Sequence, residues 1–227
     1  MRLLTVPGVF RPRSDSELLA AHVADRTRPR DSFLDPFTGS GILAIAAAGA
    51  GAAATAVDVS RRAVACAAVN ARLNGTRIRA LRGDMFSPID DERFDLIAAN
   101  PPYLPSASGK RPRGAARAWD AGSDGRELID RLCRDVADHL VPGGRLLLTH
   151  SSVCDAGATE AMLAAAGLRV EVLVRDRGPL GPLLADRAAM LEQRGLLAPG
   201  EREEEVLIFE AELPQGSAAP TRVLTSG

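Results

Sequence analysis

Three cysteines, at 66, 133 and 154, are all the thiol this 227-residue chain holds. They form no CxxC, no histidine stands near them in metal-site order, and an odd number completes no disulfide framework. They read as reduced core thiols, with no metal expected. No apolar run approaches the roughly 20 residues of a membrane span. The opening stretch MRLLTVPGVFRPRSD breaks early on proline and makes a poor signal peptide, so the expected location is cytoplasmic. An excess of one charge is missing too: 28 basic residues face 29 acidic ones. No global field draws the protein toward nucleic acid. Lys110 is the only lysine, and with so much alanine and glycine this fits GC-rich coding rather than phosphate binding.

What is present is a core. At 46% hydrophobic, the chain suits one domain over 1–213, with a polar, proline-bearing tail at 214–227 expected to be loose. Short apolar runs predict strands at 32–35, 53–59, 77–82, 94–99, 145–150, 168–174 and 205–212. Helix-like stretches at 15–25, 40–50, 60–73, 125–140 and 155–166 lie between them, and Ser60 and Asp155 stand where N-caps belong. Alternation of this kind predicts an α/β, doubly wound, mostly parallel seven-stranded sheet of Rossmann-like type, its last strand antiparallel. The segment 175–204 breaks the rhythm. Within it, LLADRAAMLEQRGLL has helical apolar spacing and either caps a substrate cleft or packs on the sheet's edge.

The chemistry gathers at predicted strand ends. FLDPFTGSGILAIAAA (33–48) is strand, glycine turn and helix, where Gly39 and Gly41 would let backbone approach a ligand and the helix offers free N–H groups. Asp58 ends the next strand, where a carboxylate can accept ribose hydroxyls. Asp84 follows the third, where it could hold an adenine amino group. The full GxGxxG is missing, since Phe37 occupies its first glycine position, and Asp35 would repel phosphates. A cation suits Asp35 better: the sulfonium and ammonium of S-adenosylmethionine, rather than a dinucleotide.

The fourth strand, FDLIAA, stops on NPPY: Asn100, Pro101, Pro102 and Tyr103, the only tyrosine. Each proline removes an N–H and holds the preceding residue extended. The Asn100 side chain and the Pro101 carbonyl, aimed by Pro102, present two acceptors that can grip a planar NH₂ group. Tyr103 would wall the pocket. The bland alternative is a proline turn with an asparagine cap.

DPFTGSG, VDVS, GDMF and NPPYLP, in this order, resemble the class I S-adenosylmethionine-dependent methyltransferases that act on amino groups. GVFRPRSDSELLAAHV (8–23) and RAWDAGSDGRELIDRL (117–132) are similar to segments flanking these motifs in the short branch of HemK-related protein-glutamine N5-methyltransferases. The resemblance covers about residues 8–174. It implies cofactor contacts from Ser16, Asp35, Thr38, Gly39, Gly41, Asp58, Asp84, Met85 and Asn100, with residues 8–30 covering the cofactor. It implies an acceptor site of Asn100, Pro101, Pro102 and Tyr103, and as substrate a protein such as a class 1 release factor bearing a GGQ loop. The segment ahead of the first strand is short, which points to the branch that in eukaryotes and archaea works with a small zinc-binding activator protein.

Two other enzyme readings stay open. A nucleobase N-methyltransferase is suggested by DPFTGSG and by the basic loop GKRPRGAAR (109–117), whose cations could meet phosphates. A small-molecule tailoring methyltransferase would use the same scaffold. A non-catalytic binding module would have no use for an intact Asn100.

Overall fold

A computed structural model describes residues 1–107 and 119–216 of the chain. The apolar runs form strands β1 (Ser32–Asp35), β2 (Ala53–Asp58), β3 (Arg79–Arg82), β4 (Phe94–Ala99), β5 (Leu140–Ser151), β6 (Arg169–Pro179) and β7 (Glu203–Glu212). They join one sheet in the order β3-β2-β1-β4-β5-β7-β6. The pairs β3/β2, β2/β1, β1/β4 and β4/β5 run parallel, and β7 runs antiparallel to β5 and β6. The expected doubly wound sheet and its reversed last strand are both present.

Why the central strands β1, β2 and β4 are buried on both faces is visible in their alternation. Phe33, Ala54, Ala56, Leu96 and Ala98 face one core, shared with helices α1 (Ser14–Arg26) and α2 (Ile42–Gly49). Leu34, Val57, Ile97 and Ala99 face the other, under α4 (Glu127–Asp135) and α5 (Ala156–Ala165). Parallel strands covered on both sides need such near-continuous apolar runs. The expected N-caps are real. The Ser60 hydroxyl accepts from the Ala63 amide at 3.4 Å to start α3 (Arg61–Leu73), and Asp155 accepts from Ala158 at 3.0 Å to start α5. Helix α4 is shorter than expected: the chain tightens into a 3-10 turn at Val136–His139 before β5.

The three cysteines are buried and free. Burial pushes the Cys133 thiol up to about 12 and Cys154 higher still, so neither is a ready thiolate. No helix among the described residues is long and apolar enough to cross a membrane.

Past the expected end of strand six, β6 and β7 continue as a long hairpin that pairs as far as Pro179 with Glu203. Between them come two short helices, α6 (Pro182–Ala185) and α7 (Ala188–Gln193). Their apolar residues Leu184, Ala188 and Leu191 close a third, separate core with Leu104 and Val153. This inserted segment therefore packs on the chain just beyond Tyr103. Arg187 fixes it there, donating to the Pro105 carbonyl at 2.7 Å and to Asp120 at 2.7 Å.

Candidate active site

The sheet order reverses between β1 and β4, and crevices at the carboxyl ends of strands flanking such a point hold ligands in open α/β sheets. Here the crevice opens into a cavity of about 870 Å³, reaching from the glycine turn past Asn100 to the inserted helices. Its size lies within the usual range for small-molecule sites.

Register places the three carboxylates side by side. Asp35 pairs with Ala56 and Asp58 with Arg82, so the ends of β1, β2 and β3 face the same crevice. Asp35 is wholly buried. Its Oδ1 accepts from the Phe37 amide at 3.2 Å, while Oδ2 has no partner of hydrogen-bond geometry. Burial pushes its carboxyl up to about 7, against the opposing pull of the Thr38 hydroxyl and the Phe37 amide. Two more buried oxygens on cavity-lining residues, Thr38 Oγ1 and Ser40 Oγ, also lack a partner of full hydrogen-bond geometry, although Thr38 Oγ1 lies close enough to Asp35 to oppose the rise of its pKa. Buried polar atoms are normally satisfied, so three unsatisfied ones converging on a cavity mark a place for a polar ligand.

Asp58 is better served. Its two oxygens accept from the Gly39 amide at 3.0 Å and the Ser60 amide at 2.8 Å, so it also fastens the glycine turn. Burial raises its carboxyl pKa, and those two amide bonds oppose the rise. The two glycines divide the work. At Gly39 (φ +51°) a Cβ would meet nothing closer than Phe10 at 4.0 Å, and the residue lines the cavity. Gly41 (φ +92°) does not line it; a Cβ there would come within 2.9 Å of Ala67. Its smallness lets α3 approach α2, a packing reason where the sequence suggested ligand approach. Asp84 is half exposed and forms a double ion pair with Arg131 of α4, at 3.3 and 3.1 Å. Met85 beside it is buried with φ +54°, an uncommon geometry for a side-chain-bearing residue.

At the end of β4 the proline turn has long-range partners. Asn100 Nδ2 donates to Asp15 Oδ2 at 3.1 Å and to Ser16 Oγ at 2.9 Å, both in the first turn of α1. The Tyr103 hydroxyl donates to the same Asp15 oxygen at 3.1 Å. Burial, with the nearby Asp15 and Glu204 carboxylates, holds the Tyr103 phenol well above its ordinary pKa, so it stays neutral. The backbone of the turn is gripped from below: Cys154 Sγ donates to the Tyr103 carbonyl at 3.0 Å. A Cβ on Gly125 would fall 2.2 Å from that carbonyl oxygen, so only glycine fits there. Residues 104–106 then pair with 119–122, through Leu104 N to Trp119 O at 2.8 Å and Ser106 N to Gly122 O at 2.7 Å.

Asp35, Thr38, Gly39, Asp58, Asp84, Met85, Ser16 and the Asn100–Tyr103 turn all line this one cavity. Sequence reasoning did not single out Arg131, Gly125 or Glu204 as site residues, and it committed to Ser16 but not its neighbour Asp15. Asp15 lies in the segment 8–23, and Gly125 and Arg131 lie in the segment 117–132, both noted for their resemblance without a role for these residues; nothing local marks Glu204. The basic loop 109–117 lies outside the described residues.

Fold, cavity and turn together define a class I methyltransferase, and comparison agrees. The methyltransferase small domain family matches residues 1–112. The chain is 33% identical over 190 residues to a putative protein N5-glutamine methyltransferase of Methanocaldococcus jannaschii, covering 83% of this chain and 95% of that one. It belongs to the protein N5-glutamine methyltransferase family. The release factor glutamine methyltransferase of Geobacter sulfurreducens is 34% identical over 153 residues, 64% of this chain but only 54% of that one. Against that bacterial relative the chain spans about half the length. A solved structure of the E. cuniculi Mtq2 complex, responsible for methylation of the eRF1 translation termination factor, shares the fold. It superposes with a TM-score of 0.61 at 20% identity over 90% of this chain and 98% of that one.

Proposed function

We propose that this S-adenosylmethionine-dependent enzyme methylates the side-chain nitrogen of a protein glutamine, with the GGQ loop of a class 1 release factor as the substrate to test first. The observation that carries the reading is the bonding of Asn100. Both hydrogens of its NH₂ are engaged by Asp15 and Ser16, so its remaining polar atom, Oδ1, is an acceptor. With the carbonyl of Pro101, a residue of the same cavity-lining turn, it would offer two acceptors. That pair suits a group with two N–H bonds, such as a primary amide.

The residues present fit the cofactor. Asp35 Oδ2, Thr38 Oγ1 and Ser40 Oγ are buried atoms lacking partners where a cationic amino acid moiety can supply them. Asp58, with further lone pairs on oxygens already bonded to the glycine turn, would take the ribose hydroxyls, and Asp84 and Met85 would flank the adenine. When bound, the cofactor supplies an electrophilic methyl group on a sulfonium.

The chain's own work is done on the acceptor. Hydrogen bonds from the amide N–H groups to Asn100 and Pro101 direct the nitrogen lone pair away from both, into the cavity, and draw charge onto a weak nucleophile. Tyr103 is kept neutral and so serves as a wall and a hydrogen-bond donor, not as a base. None is needed beforehand, because the nitrogen's proton becomes acidic only after alkylation. Asp176, Glu204 and Leu183, from the hairpin and inserted helix, line the same cavity.

The test is transfer of labelled methyl to a purified release factor, with tRNA, ribosomal RNA and a small-molecule extract alongside. A methyl on the GGQ glutamine, lost when that glutamine is replaced, supports the reading. Label entering nucleic acid or small molecules instead would refute it. If the purified enzyme is silent toward protein, adding a candidate activator protein separates a missing partner from a wrong substrate.

A further inference from the structure

The first turn of α1 lines the cavity, and it also spends five hydrogen bonds on the Asn100–Tyr103 turn and on itself. Asp15 Oδ2 receives both Asn100 Nδ2 and the Tyr103 hydroxyl, each at 3.1 Å. Its Oδ1 receives the Ser16 amide at 2.7 Å and the Ser16 hydroxyl at 3.3 Å. Ser16 Oγ in turn accepts from Asn100 at 2.9 Å. Asp15 and Ser16 are almost wholly buried, at 8% and 2% exposure, so water does not compete for these bonds.

An asparagine amide has nearly the same shape when turned by half a circle, and only its neighbours decide which way it points. Turning Asn100 over would set its carbonyl oxygen against a carboxylate and a hydroxyl already committed to Asp15. Two good bonds would become an unpaired donor and a repulsive contact. Helix α1 is itself pinned at the far end, where Arg26 meets Glu210 at 3.0 Å, and Leu19 and Val23 are sunk in the core. The pair cannot easily drift from the turn.

We infer that Asp15 and Ser16 are positioning residues for methyl transfer: they lock Asn100 with Oδ1 toward the acceptor and hold Tyr103 in place beside it. Ser16, expected from the sequence to touch the cofactor, thereby serves the acceptor end. The role rests on the proposed reading only for the acceptor's identity, since the locked amide can be observed without substrate.

Two measurements test it on the full chain. Nuclear magnetic resonance should find the Asn100 side-chain NH₂ protected from solvent exchange in the wild type and unprotected in Asp15→Ala. Kinetics of Asp15→Ala should show kcat lowered ~10–100-fold, the scale of a misaligned reacting group, with S-adenosylhomocysteine affinity within about threefold of wild type. A swap supplies rescue. Asn100→Asp alone faces Asp15 with a second carboxylate and fails; adding Asp15→Asn restores a donor–acceptor pair and should raise kcat at least about tenfold over the single variant. If Asp15→Ala does not fold, Ser16→Ala, which removes one acceptor, should lower kcat about 3–10-fold by the same reasoning. Free exchange of the wild-type Asn100 NH₂, cofactor affinity falling in step with kcat, or a swap no better than Asn100→Asp would overturn the inference. Protected exchange with no transfer to a release factor would refute the glutamine reading and leave the positioning role standing.

Discussion

The two ends of the cavity are built in opposite ways. At the proposed cofactor end the carboxylates of β1 and β2 are held by near neighbours, Asp35 by Phe37 and Asp58 by Ser60 two residues on and by the glycine turn of the adjacent βα unit, and only Asp84 reaches farther, to Arg131 of α4. At the acceptor end nothing local suffices. Asn100 and Tyr103 depend on α1, 84 to 88 residues away, and the turn beyond them depends on Arg187 and Arg194 of the inserted segment. The cofactor end also keeps buried polar atoms unsatisfied, while the acceptor end satisfies Asn100 Nδ2 and the Tyr103 hydroxyl internally. On the proposed reading, a bound cofactor would complete the first end, while the second is set by the chain's own hydrogen bonds.

The largest effect expected is at the acceptor end. Asn100→Ala should lower turnover ~10²–10³-fold, as loss of a positioned partner of a reacting group does, with S-adenosylhomocysteine affinity nearly unchanged by calorimetry. A variant keeping more than about a tenth of wild-type kcat would mean that the residue is a turn cap, because removal of a positioned group costs more than that.

Asp35→Asn tests the unsatisfied end, and should separate affinity from stability. Losing charge-assisted bonds of about 1.5–3 kcal/mol should weaken cofactor binding ~10–100-fold. The ligand-free protein should gain stability. Burial lifts the Asp35 carboxyl from its ordinary 3.8 to about 7, so between those values the folded chain holds a proton that the unfolded chain has released. Stability therefore falls as pH rises from about 4 to about 7 and stays lowered above it, by an amount on the order of 2–4 kcal/mol. Asparagine escapes that loss. Thermal melting should put Asp35→Asn several degrees above wild type near pH 8, with the two converging near pH 4. A variant that melts lower at both pH values would show that Asp35 holds the fold rather than waiting for a cation.

Gly125→Ala should damage the acceptor end from beneath. Its Cβ has no room beside the Tyr103 carbonyl and its φ of +81° is unfavourable, so a stability loss of about 1–3 kcal/mol is expected. Methyl transfer should fall more than cofactor affinity, because the carbonyl that must move belongs to the acceptor turn. Equal losses in both would erase the distinction between the two ends.

The smallest effect is at Arg131→Ala. Its pair with Asp84 is partly exposed, and such pairs contribute roughly 0–1 kcal/mol. Cofactor affinity should change by no more than about fivefold, with the difference shrinking at high salt.

How much of this was legible depended on distance along the chain. The seven strands, the N-caps Ser60 and Asp155 and the three strand-end carboxylates follow from periodicity and nearest-neighbour chemistry, which a sequence carries directly. Strand lengths were less so: β6 runs on to Pro179 because β7 pairs with it there, not because residues 175–179 are apolar. Gly41 was legible as a special residue, but not its reason, since Ala67 reaches it only when α3 is packed.

By itself the sequence determined the doubly wound sheet and the kind of chemistry gathered at its edge, because alternating apolar runs admit few arrangements and strand ends in a parallel sheet face one way. Only the tertiary structure decided what that chemistry is aimed at. Which way the Asn100 amide points and that Asp15 holds Tyr103 both arise from contacts between segments tens of residues apart. That the inserted helices close on the proline turn instead of the sheet's far edge has the same origin. A hydrogen bond between such segments exists only after the loops between them are closed, and no local propensity encodes it.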